Sequence, residues 1–160
     1  MSVRRRLEGI NSGVAALVTA AASICLFAMM AVVVADVVLR AIDPAWRIYG
    51  ALDLVEFSLN WTLCLAIAAA LFAGQAISVD LIDRFDRRLV LKRVGALLLL
   101  VILIVMAWQT IRPALNVREW GEETFDLGLP KFWYWIAIWT GLGLAILAVA
   151  LNLALQARRR

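Results

Sequence analysis

The sequence predicts an all-α membrane protein with four transmembrane helices. Both termini are expected on the cytoplasmic side, and a cytoplasmic-side interfacial amphipathic helix is expected between helices 2 and 3. Three observations predict this. Of 160 residues, 64% are hydrophobic and only 18% charged, and the mean hydropathy is +0.89. Four apolar runs each reach the roughly 20 residues that a helix needs to cross about 30 Å of hydrocarbon. The charged residues gather between those runs, with opposite bias at alternate ends. A chain of this length is expected to form a single integral membrane domain over residues 1–160. A pI of 9.7 would suggest nucleic acid for a soluble protein. Here the basic residues flank apolar segments and set orientation instead, so no nucleic-acid partner is expected.

The first span is expected at about 13–39. Arg4, Arg5 and Arg6 precede it as in a secretory signal, and Ala20, Ala21 and Ala22 imitate a cleavage site. Hydrophobicity nevertheless continues to Leu39, too far for a signal, which predicts an uncleaved helix. Asp36 and Arg40, near its outer end, form an acid-before-base pair at i,i+4. The alternative is a contact with a partner or substrate.

Span two is expected at about 54–74. Asp53 and Glu56, in "DLVE", have the spacing of a capping box, and their charge suits a helix N-terminus. Glu56 and Asn60 also share a face from which they could bond to another subunit. Ala66, Ala70 and Gly74 repeat every four residues, as Gly9 and Gly13 do before span one. Such small-residue rows let helix backbones approach closely in lipid.

Residues 77–88 interrupt the apolar chain with charge. As a helix they place Leu81, Ile82, Phe85 and Leu89 on one stripe. Asp80–Arg84 and Asp83–Arg87 form favourable i,i+4 pairs on the other side. Arg84, Arg87, Arg88, Lys92 and Arg93 would then face anionic headgroups, each favoured by about 1 kcal/mol. The plainer alternative is a positively charged loop.

Span three, about 89–111, is bulky and aliphatic on every face and is expected to meet lipid over much of its circumference. Span four, about 132–155, opens on Pro130, suited to a first helical turn, followed by four aromatics from Phe132 to Trp135. The preceding loop carries Glu119, Glu122, Glu123 and Asp126, the pattern of a solvated face.

Orientation follows from the basic residues. With both termini on one side, that side holds eleven of the sixteen lysines and arginines but only four of the twelve acids. The positive-inside rule makes it cytoplasmic. All seven tryptophans fall at the other end: Trp46 and Trp120 in outer loops, and Trp61, Trp108, Trp133, Trp135 and Trp139 in the outer halves of their spans. Tryptophan favours membrane interfaces. The asymmetry reads either as a one-sided aromatic belt or, through Trp46, Trp61, Trp120, Trp133 and Trp135, as a docking surface for an outer partner.

The chain contains no histidine, which removes bis-histidine haem ligation and the commonest metal ligand. Cys25 and Cys64 lie in different spans without a CxxC pair. Nucleotide loops and hydrolase motifs are missing. The sequence therefore predicts neither an enzyme nor a cofactor or metal site. Intramembrane charge is the usual mark of a transport path, and none lies at the middle of a span.

Several stretches together resemble the small membrane subunit (DctQ type) of tripartite ATP-independent periplasmic, or TRAP, transporters. They are "DVVLRAIDPAW", "LVEFSLNWTLCLAIAAALFAGQAISVDLIDRF" and "LGLPKFWYWIAIWTGLGLAILA", and their order covers about residues 30–150. The chain departs from the family pattern in two places. Ala76 stands where a histidine often precedes the VDL turn, and Ala41 where an aromatic often follows the span-one arginine.

The resemblance implies a multi-pass subunit of the bacterial inner membrane, in an uptake system for organic acids driven by an ion gradient, usually Na⁺. Its implied partners are a large membrane (DctM-type) subunit, which moves the substrate, and a periplasmic solute-binding protein. The small subunit would brace the large one and help form the docking surface. Asp36, Arg40, Glu56, Asn60, Ala66, Ala70 and Gly74 are the candidate contacts with the partner subunit. The alternative is a self-sufficient four-helix transporter acting as a homo-oligomer.

Overall fold

A computed structural model describes residues 2–43, 45–73 and 88–157. Side chains of residues 2–8, 10, 88–92, 156 and 157 lie outside that description. Four helices follow one another: α1 Ser2–Ile42, α2 Ala51–Phe72, α3 Arg88–Trp120 and α4 Phe132–Ala157. Each contains a stretch long and apolar enough to span a membrane. Among the described residues there is no strand, only an isolated bridge between Glu123 and Pro130. The expected interfacial helix at 77–88 lies outside the described residues apart from Arg88, which opens α3.

The helices form a row rather than a closed bundle. α1 packs on α2, α2 on α4, and α4 on α3, with a smaller contact between α1 and α4. Two antiparallel hairpins, α1–α2 and α3–α4, thus meet through α2 and α4, which run in the same direction. Val18 and Ala22 of α1 pack on Leu65, Ala68 and Ala69 of α2. Leu103 of α3 packs on Ala145 and Val149 of α4. Only 6% of the apolar window of α3 is buried, against 28% for α4. The exposure of α3 follows from this terminal position in the row.

Two spans run longer than expected. α1 has 41 residues and α3 has 33, or about 60 and 50 Å at 1.5 Å per residue. α3 continues through Arg112 and Pro113 to Trp120, where the expected span stopped at Ile111. A charge ends the segment that lipid can cover, but it does not end backbone hydrogen bonding. Gly121 ends α3: it is left-handed at φ 62°, and Glu122 N–H closes back on Val117 O at 3.3 Å.

The start of α2 also departs from expectation. Its N-cap is Gly50 at φ 76°, with no side-chain capping bond, so Asp53 and Glu56 do not form a capping box. The helix begins a turn earlier, and Asp53 is engaged elsewhere. At α4, Pro130 lies two residues before the helix instead of in its first turn, and its carbonyl accepts from Trp133 N–H at 3.1 Å.

α2 and α4 approach closely at Gly141. A Cβ placed on Gly141 would lie 2.7 Å from Cys64 Cβ and 2.9 Å from Cys64 O. Glycine is required there by space. Gly9, Gly13 and Gly143 would meet nothing within 4 Å, so the Gly9–Gly13 row packs against nothing among the described residues.

Candidate functional site

Polar side chains within the spans fasten this chain to itself, and α2 is where most of the bonds converge. At the end away from the termini, Asp53 is buried at 5% exposure, and its Oδ2 accepts the Asp126 and Leu127 amides at 3.2 and 2.9 Å. Its backbone carbonyl accepts the Tyr134 hydroxyl at 3.1 Å. The α3–α4 loop is thereby tied to the first turn of α2, where a carboxylate also suits the helix dipole. Leu127 closes over Gly50, leaving no room there for a Cβ.

One α1 residue plays the same part for the α1–α2 loop. Asp36 Oδ1 accepts Ile48 N–H at 2.9 Å, and Oδ2 pairs with Arg40 at 2.6 Å. The expected i,i+4 pair is present. Asp36 is buried, while the Arg40 side chain keeps 55% exposure. A buried carboxylate is tolerated because both oxygens are engaged.

Asn60 bonds across helices, but within the chain: its Nδ2 donates to Tyr134 O at 2.9 Å. Phe57 packs edge-on between Trp61 and Tyr134, with centroids 6.3 and 5.5 Å away. Glu56 is exposed, one turn above Asn60. α3 joins α4 through Trp139 Nε1, which donates to Thr110 Oγ1 at 3.2 Å, and through Arg118, whose guanidinium lies 5.6 Å from the Phe132 ring centroid.

At the opposite end two asparagines do what the sequence did not disclose. Asn11 Nδ2 of α1 donates to Phe72 O, and Asn152 Nδ2 of α4 donates to Leu71 O, both at 2.8 Å. The last carbonyls of any helix lack partners within it, and in lipid each unsatisfied group is costly. Two neighbours cap α2 from either side. Their amide-to-carbonyl partners lie 61 and 81 residues away, so only the general preference for asparagine in helix contacts could have hinted at them.

The small-residue row of α2 is not its internal packing face. Leu65, Ala68, Ala69 and Phe72 are buried, whereas Ala66 and Ala70 are exposed. Ala66 and Ala70 line an open groove of about 440 Å³ between α1 and α2, together with Thr19, Ser23 and Thr62. Gly74 lies outside the described residues, as do Asp80, Arg84, Phe85 and Arg87. Arg88 and Lys92 are placed in α3 by backbone alone, and Arg93 is half-buried.

The outer aromatics divide. Trp46, Trp120 and Trp133 are exposed, as is Trp108. Trp61 and Trp135 are half-buried. Trp61 packs on the α1–α2 core, and its buried Nε1 has no hydrogen-bond partner among the described residues. Lys131 pairs with Glu122 at 3.1 Å, which leaves the loop between Glu119 and Lys131 acidic overall.

Comparison with known proteins adds one finding. The model of the family described as "Tripartite ATP-independent periplasmic transporters, DctQ component" matches residues 29–159. No curated protein and no solved structure matches the chain.

Proposed function

Because the chain belongs to the DctQ component family of tripartite ATP-independent periplasmic transporters, we propose that it serves such a system as a non-catalytic brace. It is a multi-pass membrane protein and a transporter component. In this reading it lies in the bacterial inner membrane with both termini cytoplasmic, as the basic residues favour. It holds the large membrane subunit in place, and its outer face helps receive the periplasmic solute-binding protein. The large subunit moves organic acids, such as C4-dicarboxylates or sugar acids, driven by an ion gradient with Na⁺ as the coupling ion.

The observation that carries this reading is how the polar groups in the spans are used. Asn11, Asp36, Asp53, Asn60, Tyr134 and Asn152 all bond within the chain and hold helix to helix or loop to helix. A carrier needs such groups facing a path; a brace needs them spent on rigidity. The open row of helices supports the same reading, since α1 and α3 at its two ends leave broad faces for a larger neighbour. Exposed Arg40 and Glu56, the Ala66–Ala70 face and, from the sequence alone, Gly74 are the contacts assigned to that neighbour.

Co-expression with the large subunit tests it. A stable 1:1 complex is expected, and Arg40→Glu combined with Glu56→Lys should lower its yield. An undiminished yield from that double variant would remove both residues from the interface.

A further inference from the structure

The loop between α3 and α4 carries a side chain that bracing does not use. Phe125, at its tip, is 100% exposed. The frame beneath it is fixed. Thr124 is buried; its N–H donates to Leu129 O at 2.9 Å, and its Oγ1 accepts Leu129 N–H at 3.0 Å. Gly128 N–H returns to Thr124 O at 3.2 Å, Lys131 N–H to Glu122 O at 2.9 Å, and Asp53 holds the two amides after Phe125. An apolar ring shown on a pre-ordered frame loses little entropy when a partner covers it.

Lipid is poorly placed to cover it. Arg112 is the first charge after the apolar stretch of α3, and Trp120 lies eight residues further, about 12 Å along the axis. A headgroup layer is only about 5–8 Å deep. The loop starts past the headgroup layer and turns back to Asp53 in the first turn of α2. Its flanks are acidic, with Glu119, Glu122, Glu123 and Asp126 against Lys131, which anionic headgroups would repel.

We infer that Phe125, rimmed by Glu123 and Asp126, is a docking knob for a water-soluble protein that offers an apolar pocket with a basic rim. Resting on the reading above, that protein is the solute-binding protein of the same system. The ring supplies the buried anchor, and the acids steer approach.

The test uses the small and large subunits assembled together in nanodiscs, with the purified solute-binding protein of the same system as the probe on a biosensor. For Phe125→Ala, a Kd raised about 10-fold or more, mainly through faster dissociation, is expected. Glu123→Gln with Asp126→Asn should slow association and flatten its salt dependence. Elution of the two membrane subunits should not change, and that readout reports on the brace separately from docking. An unchanged dissociation rate in Phe125→Ala would overturn the knob. So would loss of co-elution, since it would place Phe125 between the two membrane subunits.

Discussion

Gly141→Ala is the sharpest probe of how the two hairpins are joined. The added Cβ would sit 2.7 Å from Cys64 Cβ and 2.9 Å from its carbonyl oxygen. Neither neighbour is the end of a flexible side chain, so α2 and α4 must separate. Restoring ordinary contact at about 3.6 Å means a shift of roughly 0.9 Å. That shift would stretch the Asn60–Tyr134 and Asn152–Leu71 bonds, now 2.9 and 2.8 Å, past good geometry. Overpacking costs about 1–3 kcal/mol, and two weakened interhelical bonds add roughly 1 kcal/mol. The better helix propensity of alanine returns about 1 kcal/mol. A net loss of about 1–3 kcal/mol remains. At roughly 2–4 °C per kcal/mol for a chain of this size, the midpoint in detergent should fall by about 2–12 °C. Adding Cys64→Gly relieves the 2.7 Å contact but leaves the backbone oxygen at 2.9 Å and puts a glycine, costing about 1 kcal/mol, inside α2, so it should not restore the wild-type midpoint. A Gly141→Ala protein that melts like the wild type would refute the reasoning.

Three further variants probe the ties at either end of α2. Asp53→Ala frees the Asp126 and Leu127 amides; their hydrogen exchange and proteolysis of the 121–131 loop should speed up while helical content by circular dichroism holds. Asn152→Leu keeps side-chain size but uncaps Leu71 O; a loss of about 1 kcal/mol is expected in detergent unfolding, and Asn11→Leu should act alike at Phe72 O.

The four helices were legible because hydrocarbon permits so few solutions: long apolar runs must be helical, and their number follows from counting. Their ends were less legible. Apolarity marks where lipid stops, whereas α3 stops only at the left-handed Gly121, ten residues past the expected boundary at Ile111. Asp53 was legible as an acid at a helix start, but a local pattern could not reveal a loop 73 and 74 residues away that competes for its carboxylate. The Ala66–Ala70 row was visible, yet helix phase turns α2 so that Ala68 and Ala69 are buried instead. Of Gly141 and Gly143 in α4, only Gly141 meets a neighbouring helix, which again depends on phase. Phe125 gave no periodic signal at all, because an exposed ring in a turn belongs to no pattern.

The central claim is that these helices hold a neighbour and do not themselves carry solute. It is tested most directly in liposomes under an inward sodium gradient, using radiolabelled C4-dicarboxylates and sugar acids. With this chain alone, uptake should not exceed that of protein-free vesicles; with the large subunit and the binding protein added, it should appear. Gradient-dependent uptake by this chain alone would contradict the account.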